Sequence, residues 1–199
     1  TLNGAASMTI AFGTTFTDPG ATASDNVDGA VAVQTSGAVN TAALGTYVIT
    51  YTAADESGNM STSSRSVQVI STAAYTLQNT YGLSGARSGL SADADDDGIS
   101  NMMEYALGSN PAIGSDAPGT APTCRLIGGK MEFTAVLRND PALTVAAEAS
   151  ENLMTWTAST GEQSSVDQTG VALGFTRRLW QVDTSAMNRR FIRLRINSP

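Results

Sequence analysis

The chain has 199 residues, 41% apolar and 15% charged, with abundant small side chains; this accommodates one large or two small packed domains and suits β-rich exported modules better than a helical cytosolic enzyme. Histidine is absent and cysteine occurs once, so the commonest general base and zinc ligand are missing and no internal disulfide can form. The net charge of −7 is uneven: residues 1–122 hold 11 acidic and 2 basic side chains, a net of −9, against 7 acidic and 9 basic in residues 123–199, a net of +2, and the acidic front argues against a nucleic-acid partner.

Residues 1–71 read as one small all-β unit. Met8-Thr9-Ile10-Ala11-Phe12 alternates, and turn clusters follow at Asp18-Pro19-Gly20 and Asp25-Asn26-Val27-Asp28-Gly29. The clearest strand is Tyr47–Ala53, with Tyr47, Ile49, Tyr51 and Ala53 on one face and Thr50 and Thr52 on the other. Asp55-Glu56-Ser57-Gly58-Asn59 turns the chain into a last strand running from Arg65 to Ile70. Short strands between regular turns predict a β-sandwich. The succession "FTDPGATASDNVDG", "GTYVITYTAADESGN" and "RSVQVI" resembles the bacterial immunoglobulin-like repeats related to hyalin repeats. That resemblance implies a seven-strand-like sandwich used as a spacer or adhesive module, without catalysis. If their turns converge, Asp18, Asp25, Asp28 and Asp55 would hold a cation; the competing reading is that each aspartate bonds its own turn.

Residues 72–122 read as a connector. A short helix is expected over Tyr75–Tyr81, ended by Gly82. Four aspartates then fall within residues 93–97, where they would repel one another without a cation. Asp93, Asp95 and Asp97 take positions one, three and five of a calcium loop, and Gly98 sits at the sharp turn in position six. The Ile99 carbonyl takes position seven and Asn101 position nine, directly or through water. Glu104 closes position twelve, where it can bind with both oxygens. Asp96 occupies a non-liganding position. The alternative is an acidic turn capping the next helix. That helix is expected over Ser100–Leu107, stopped by Gly108 and Pro111, with Met102, Met103, Ala106 and Leu107 as its apolar face.

The run "SADADDDGISNMMEYALGSNPA" resembles the calcium segment near the end of many large exported bacterial proteins, akin to single dockerin or thrombospondin type 3 repeats. The resemblance implies Ca2+ ligation by Asp93, Asp95, Asp97, the Ile99 carbonyl and Glu104. No second loop of this spacing occurs, so a structural ion is expected rather than a calcium switch. Such an ion would fix the helix entry and limit the freedom between modules.

Residues 109–122 have linker composition. Residues 123–199 return to β character as an antiparallel sandwich. Strands are expected over Lys130–Arg138, around Leu143–Ala149, over Phe175–Val182 and over Phe191–Ile196. In the last of these Ile192, Leu194 and Ile196 share a face opposite Arg193 and Arg195. With Arg177, Arg178, Arg189 and Arg190, these arginines form a solvent-facing sheet surface or a polyanion-binding face. Cys124, Trp156 and Trp180 are expected as packing residues, with sugar stacking as the alternative for the two tryptophans. The pattern "LTVAAEASENLMTW" through "FIRLRI" resembles the β domain that commonly follows the calcium segment in such exported proteins.

A mainly β, non-catalytic, calcium-stabilised accessory or spacer region of a larger exported bacterial protein is therefore expected, secreted or at the cell surface. Its partners would be the other domains of the parent protein. Two other readings remain open: a polysaccharide- or surface-binding adhesive module, and part of a secreted hydrolase, whose paired carboxylates need only meet in space. No apolar run approaches the ~20 residues of a membrane helix. The chain opens on Thr1, as expected of a segment of a longer precursor.

Overall fold

The computed structural model describes residues 1–114, 121–159, 161–163, 165–183 and 191–198, and over them the chain is mainly β. It divides into two compact units, Thr1–Tyr75 and Thr76–Pro199. No helix among the described residues is long and apolar enough to cross a membrane.

Alternation organises the first unit. Its strands are β1 (Ser7–Ala11), β2 (Ala23–Asp25), β3 (Gly29–Val31), β4 (Val33–Ser36), β5 (Gly45–Ala54) and β6 (Met60–Ile70). The main sheet has the order β1-β6-β5-β4, with β1 parallel to β6 and the other pairs antiparallel, while β2 and β3 form a separate ladder. Ile49 and Tyr51 of β5 and Val67 of β6 are buried together, as the two-residue period requires. Met8, Ile10 and Val33 from the sheet and Leu2, Phe16, Ala21 and Val39 from outside it close over them. Among the described residues this unit has six strands, where the resemblance implied about seven.

A buried arginine fastens this unit. Arg65 of β6 is fully buried and ion-pairs with Asp18; it also donates to the carbonyls of Ala5 at 2.9 Å and Asn3 at 2.5 Å and to the Tyr51 hydroxyl at 3.1 Å. Tyr51 in turn donates to Asp18 Oδ1 at 2.5 Å. Burial by itself would raise the Asp18 carboxyl. The Tyr51 hydroxyl, the Gly20 N–H and the Arg65 charge together hold it below the usual carboxylate range.

A helix, α1 (Thr72–Asn79), follows, starting three residues before the expected position because Ser71 Oγ accepts the Ala74 N–H at 3.3 Å and caps it. The second unit then contains a 3-10 turn (Gly85–Ser88), the acidic loop, α2 (Asn101–Leu107), β7 (Thr123–Ile127), β8 (Lys130–Arg138), β9 (Thr144–Ser150), β10 (Thr157–Ala158), β11 (Phe175–Asp183) and β12 (Phe191–Asn197). Two antiparallel sheets form, β11-β8-β7 and β10-β9-β12. Phe133, Ala135 and Leu137 of β8, Ala147 of β9 and Trp180 of β11 share one core with Ala106 and Leu107 of α2, and Ile192, Leu194 and Ile196 of β12 pack against it. The helix expected in the connector is thus part of this unit's core. Tyr105, absent from its expected apolar face, is buried as well, because its hydroxyl reaches Asp140 Oδ2 at 2.9 Å.

Four arginines of the back half are engaged. Arg178 grips Glu162 with two bonds of 2.5 and 2.7 Å, and Arg193 and Arg195 both bind the buried Glu148 at 2.7 to 3.2 Å. Arg177 donates to the carbonyls of Asp167 and Thr169. Arg189, Arg190 and residues 115–120 of the expected linker lie outside the described residues. Trp180 is 6.0 Å from Phe133 in the core, and Trp156 lies beneath the Arg193 guanidinium at 4.2 Å. Cys124 corrects its expectation. It is exposed, because β7 is an edge strand whose five residues all face solvent.

Candidate metal centre

Local backbone bonds shape the acidic loop. Gly98 N–H donates to Asp93 Oδ2 at 2.8 Å, Asp97 N–H to Asp93 Oδ1 at 3.2 Å and to Asp95 Oδ1 at 3.3 Å, and Ile99 N–H to Asp97 Oδ1 at 2.8 Å. Gly98 has a φ of 92°, a conformation that a side chain would strain, so glycine at position six is a backbone requirement. The outcome is a cluster: Asp93, Asp95 and Asp97 each bring a carboxylate oxygen within 4.8 Å of the others. The Gly98 N–H bond is the main reason the Asp93 carboxyl lies below its usual range. Asp96 points away and pairs with Arg87 at 3.2 Å, with both side chains exposed.

Glu104 approaches the cluster from α2 and is 1% exposed. Its Oε1 accepts from Ser109 Oγ at 3.3 Å, while Oε2 is buried without a hydrogen-bond partner, as is Asp95 Oδ2. Burial, followed by the charges of Asp95, Asp97 and Asp93, pushes the Glu104 carboxyl up to about 7. Orphaned oxygens in a buried site are costly, and the penalty is larger when the neighbours carry the same charge. A hard divalent cation among these oxygens would offset the repulsion between the carboxylates and give the orphaned oxygens a partner. Four carboxylates supplying only oxygen fit Ca2+ in donor chemistry and do not fit a metal that prefers nitrogen or sulfur.

The structure therefore gathers Asp93, Asp95 and Asp97 into one cluster, with Ile99 at the seventh position of the same loop; Glu104 is outside that group, though near enough for the three charges to act on its carboxyl. Asn101 is different. Its amide is fully buried and bonded to the backbone of Arg87, Gly89 and Ala94. Asp18, Asp25, Asp28 and Asp55 are not gathered. Among the described residues, Asp93, Asp95 and Asp97 form the only group of three or more acidic side chains with oxygens so close. Asp18 belongs to Arg65; Asp25 accepts the N–H groups of Val27 and Asp28; Asp28 accepts the Glu56 N–H; and Asp55 accepts from Asn59. Ser109 and Gly114 were not anticipated at the site. Pro111 is buried, and the chain folds back so that a side chain on Gly114 would lie 3.3 Å from the Asp95 carbonyl. The Gly108-to-Pro111 stretch reads in sequence as a helix stop, which conceals this return.

A sandwich with an immunoglobulin-like front, followed by an oxygen-rich loop on a short helix, is the class that fold and site define. Residues 1–69 match the family described as "Bacterial surface protein, Ig-like domain", a match covering about one third of the 199 residues. No curated protein matches the chain. Among solved structures, the chain is similar to the lipoprotein BT2262 from Bacteroides thetaiotaomicron, at 15% identity over 71% of this chain and a TM-score of 0.33. It is also similar to a structure of CBM51-2 in complex with GlcNAc and INT domains from Clostridium perfringens ZmpB, at 13% identity over 96% of this chain and a TM-score of 0.30. The chain spans 56% and 42% of those two structures.

Proposed function

We infer that this chain is a non-catalytic accessory region of a larger exported bacterial protein, with Ca2+ held by Asp93, Asp95, Asp97, the Ile99 carbonyl and Glu104 as a structural ion. One observation carries the reading: the buried, unpartnered Glu104 oxygen beside three converging aspartates. The surface-protein family match over residues 1–69 supports the accessory role and export. The bound ion would offset the carboxylate repulsion and fix the junction between loop and helix. The chain's own part is to gather the oxygens and bury them.

A sugar-binding role needs an open aromatic platform. Trp180 and Tyr51 are in the cores, Trp156 is covered by Arg193, and the Tyr47 hydroxyl donates to the Ala43 carbonyl. Trp180, Tyr51 and Trp156 therefore offer no open platform for that reading.

The test is a thermal melt with Ca2+ and with a chelator. At a hundredfold excess over the dissociation constant, the ion contributes about 2.7 kcal/mol, a shift on the order of 10 °C in Tm. Chelation should also open residues 85–110 to proteolysis. Superimposable melting curves with and without Ca2+ would remove the proposal.

A further inference from the structure

Asn101 stands where a calcium loop has its ninth ligand position, yet every polar atom of its side chain is committed to backbone. Oδ1 accepts the Ala94 N–H at 3.2 Å, and Nδ2 donates to the Arg87 carbonyl at 2.7 Å and the Gly89 carbonyl at 2.8 Å. Next to these, Asn101 N–H donates to the Ala92 carbonyl at 2.8 Å and Met102 N–H to the Leu90 carbonyl at 2.9 Å. Five bonds thus stitch residues 87–94 to the first turn of α2. Ala94, held by its N–H, is buried between Asp93 and Asp95, so its position sets where both carboxylates start.

We propose that Asn101 is a positioning residue and not an ion ligand: it fixes the chain entering the loop so that Asp93 and Asp95 face Glu104 before the ion arrives. This role rests on the calcium reading above. Groups that orient a metal site without touching the ion typically change affinity by roughly 10- to 100-fold when removed. Ligand and clamp also differ in which atoms they need. A ligand needs only the Asn101 oxygen, whereas the clamp needs both hydrogens on the nitrogen to satisfy the Arg87 and Gly89 carbonyls.

Asn101→Asp separates the two with opposite signs. It keeps an oxygen and adds a negative charge, which tightens Ca2+ binding if the residue is a ligand. In the clamp it abolishes two donated bonds and sets a carboxylate against two carbonyl oxygens. The experiment uses the full 199-residue chain as wild type, Asn101→Asp, Asn101→Ala and the milder Asn101→Ser, with Asp96→Asn as a control at an exposed position outside the ligand set. Calorimetric Ca2+ titration gives affinity, melting in chelator gives the ion-free effect, and Tb3+ luminescence lifetimes in H2O and D2O count the waters on the ion.

The expected result is a lower Tm in chelator and roughly tenfold or weaker Ca2+ binding for Asn101→Asp and Asn101→Ala. Asn101→Ser, which keeps an acceptor for Ala94, should fall between them and wild type. The count of metal-bound waters should stay at the wild-type value, and Asp96→Asn should cost less Ca2+ affinity than Asn101→Ala. Binding by Asn101→Asp as tight as wild type, or an extra water on Tb3+ in Asn101→Ala, overturns the clamp alone. A wild-type chain silent to both ions overturns the calcium centre, and this role with it.

Discussion

At the scale of single residues, acidic side chains of one composition have three different duties. Asp25 and Asp55 hold turns, Asp18 neutralises a buried guanidinium, and Glu104 is buried with one oxygen unmatched. Arg65 is the more exacting half of its pair, because its removal takes the donor from the carbonyls of Asn3 and Ala5 and the counter-charge from Asp18. Arg65→Met keeps most of the volume and should cost the first unit about 3 kcal/mol, read by denaturant unfolding. An effect within ~0.5 kcal/mol, as for an ordinary surface substitution, would show the network to be dispensable. For Glu104 the expected sign depends on the ion. Without Ca2+, Glu104→Gln removes a carboxylate that burial and three like charges disfavour, so the chain should gain on the order of 1 kcal/mol. With Ca2+ the same variant should lose most of the ion's stabilisation. Melting both proteins in chelator and in excess Ca2+ checks the crossing; a variant less stable than wild type in both media would contradict it.

At the scale of elements, α2 depends on how it ends. Gly108 has a φ of 82°, its N–H donates to the Glu104 carbonyl at 2.7 Å, and a side chain there would lie 2.7 Å from the Phe175 ring. Beyond the helix end, Arg138 of β8 donates Nε to the Tyr105 carbonyl at 2.9 Å and lies over the rings of Tyr105 and Phe175 at 4.6 and 5.0 Å. Gly108→Ala meets both the left-handed backbone and the ring, and should destabilise the second unit by roughly 2 kcal/mol or more, since the strained conformation alone costs about 1–3. Because Glu104 lies on the same helix, Ca2+ affinity should fall with it. Calorimetry that finds stability reduced and affinity untouched would separate the helix end from the site.

The elements legible in the sequence are those governed by neighbours in the chain. Alternation marked β5, β8 and β12, and the glycine after Leu107 marked the end of α2, because period and caps are local properties. The loop was legible for the same reason, since its turn and four of its carboxylates lie within twelve residues. What escaped is non-local. Arg65 finds Asp18, Ala5 and Asn3 47 to 62 residues away, Glu148 meets Arg193 and Arg195 from another strand, and β1 pairs parallel to β6 across most of the first unit. Spacing does not report which distant strand a side chain faces. The Asn101 case is subtler: its position in the loop suggests a ligand, while in the fold it is buried with three side-chain bonds to backbone, which spacing does not report.

At the scale of the molecule, the position of the loop changes what the ion would do. Spacing suggested an ion limiting the freedom between two modules, yet Asp93, Asp95, Asp97, Glu104, Asn101 and Ser109 all belong to the unit Thr76–Pro199. The helix bearing Glu104 contributes Ala106 and Leu107 to that unit's core, which is separate from the cluster of Ile49, Tyr51 and Val67 in the first. Stabilisation by a ligand acts on the cooperative unit that binds it. Calorimetry of the full chain should therefore resolve two transitions. Ca2+ should raise one by on the order of 10 °C and leave the other in place, while Arg65→Met should lower only the one that Ca2+ does not move. A single transition moved by both perturbations would mean that the two cores unfold as one, and the ion's effect would then extend over the whole chain.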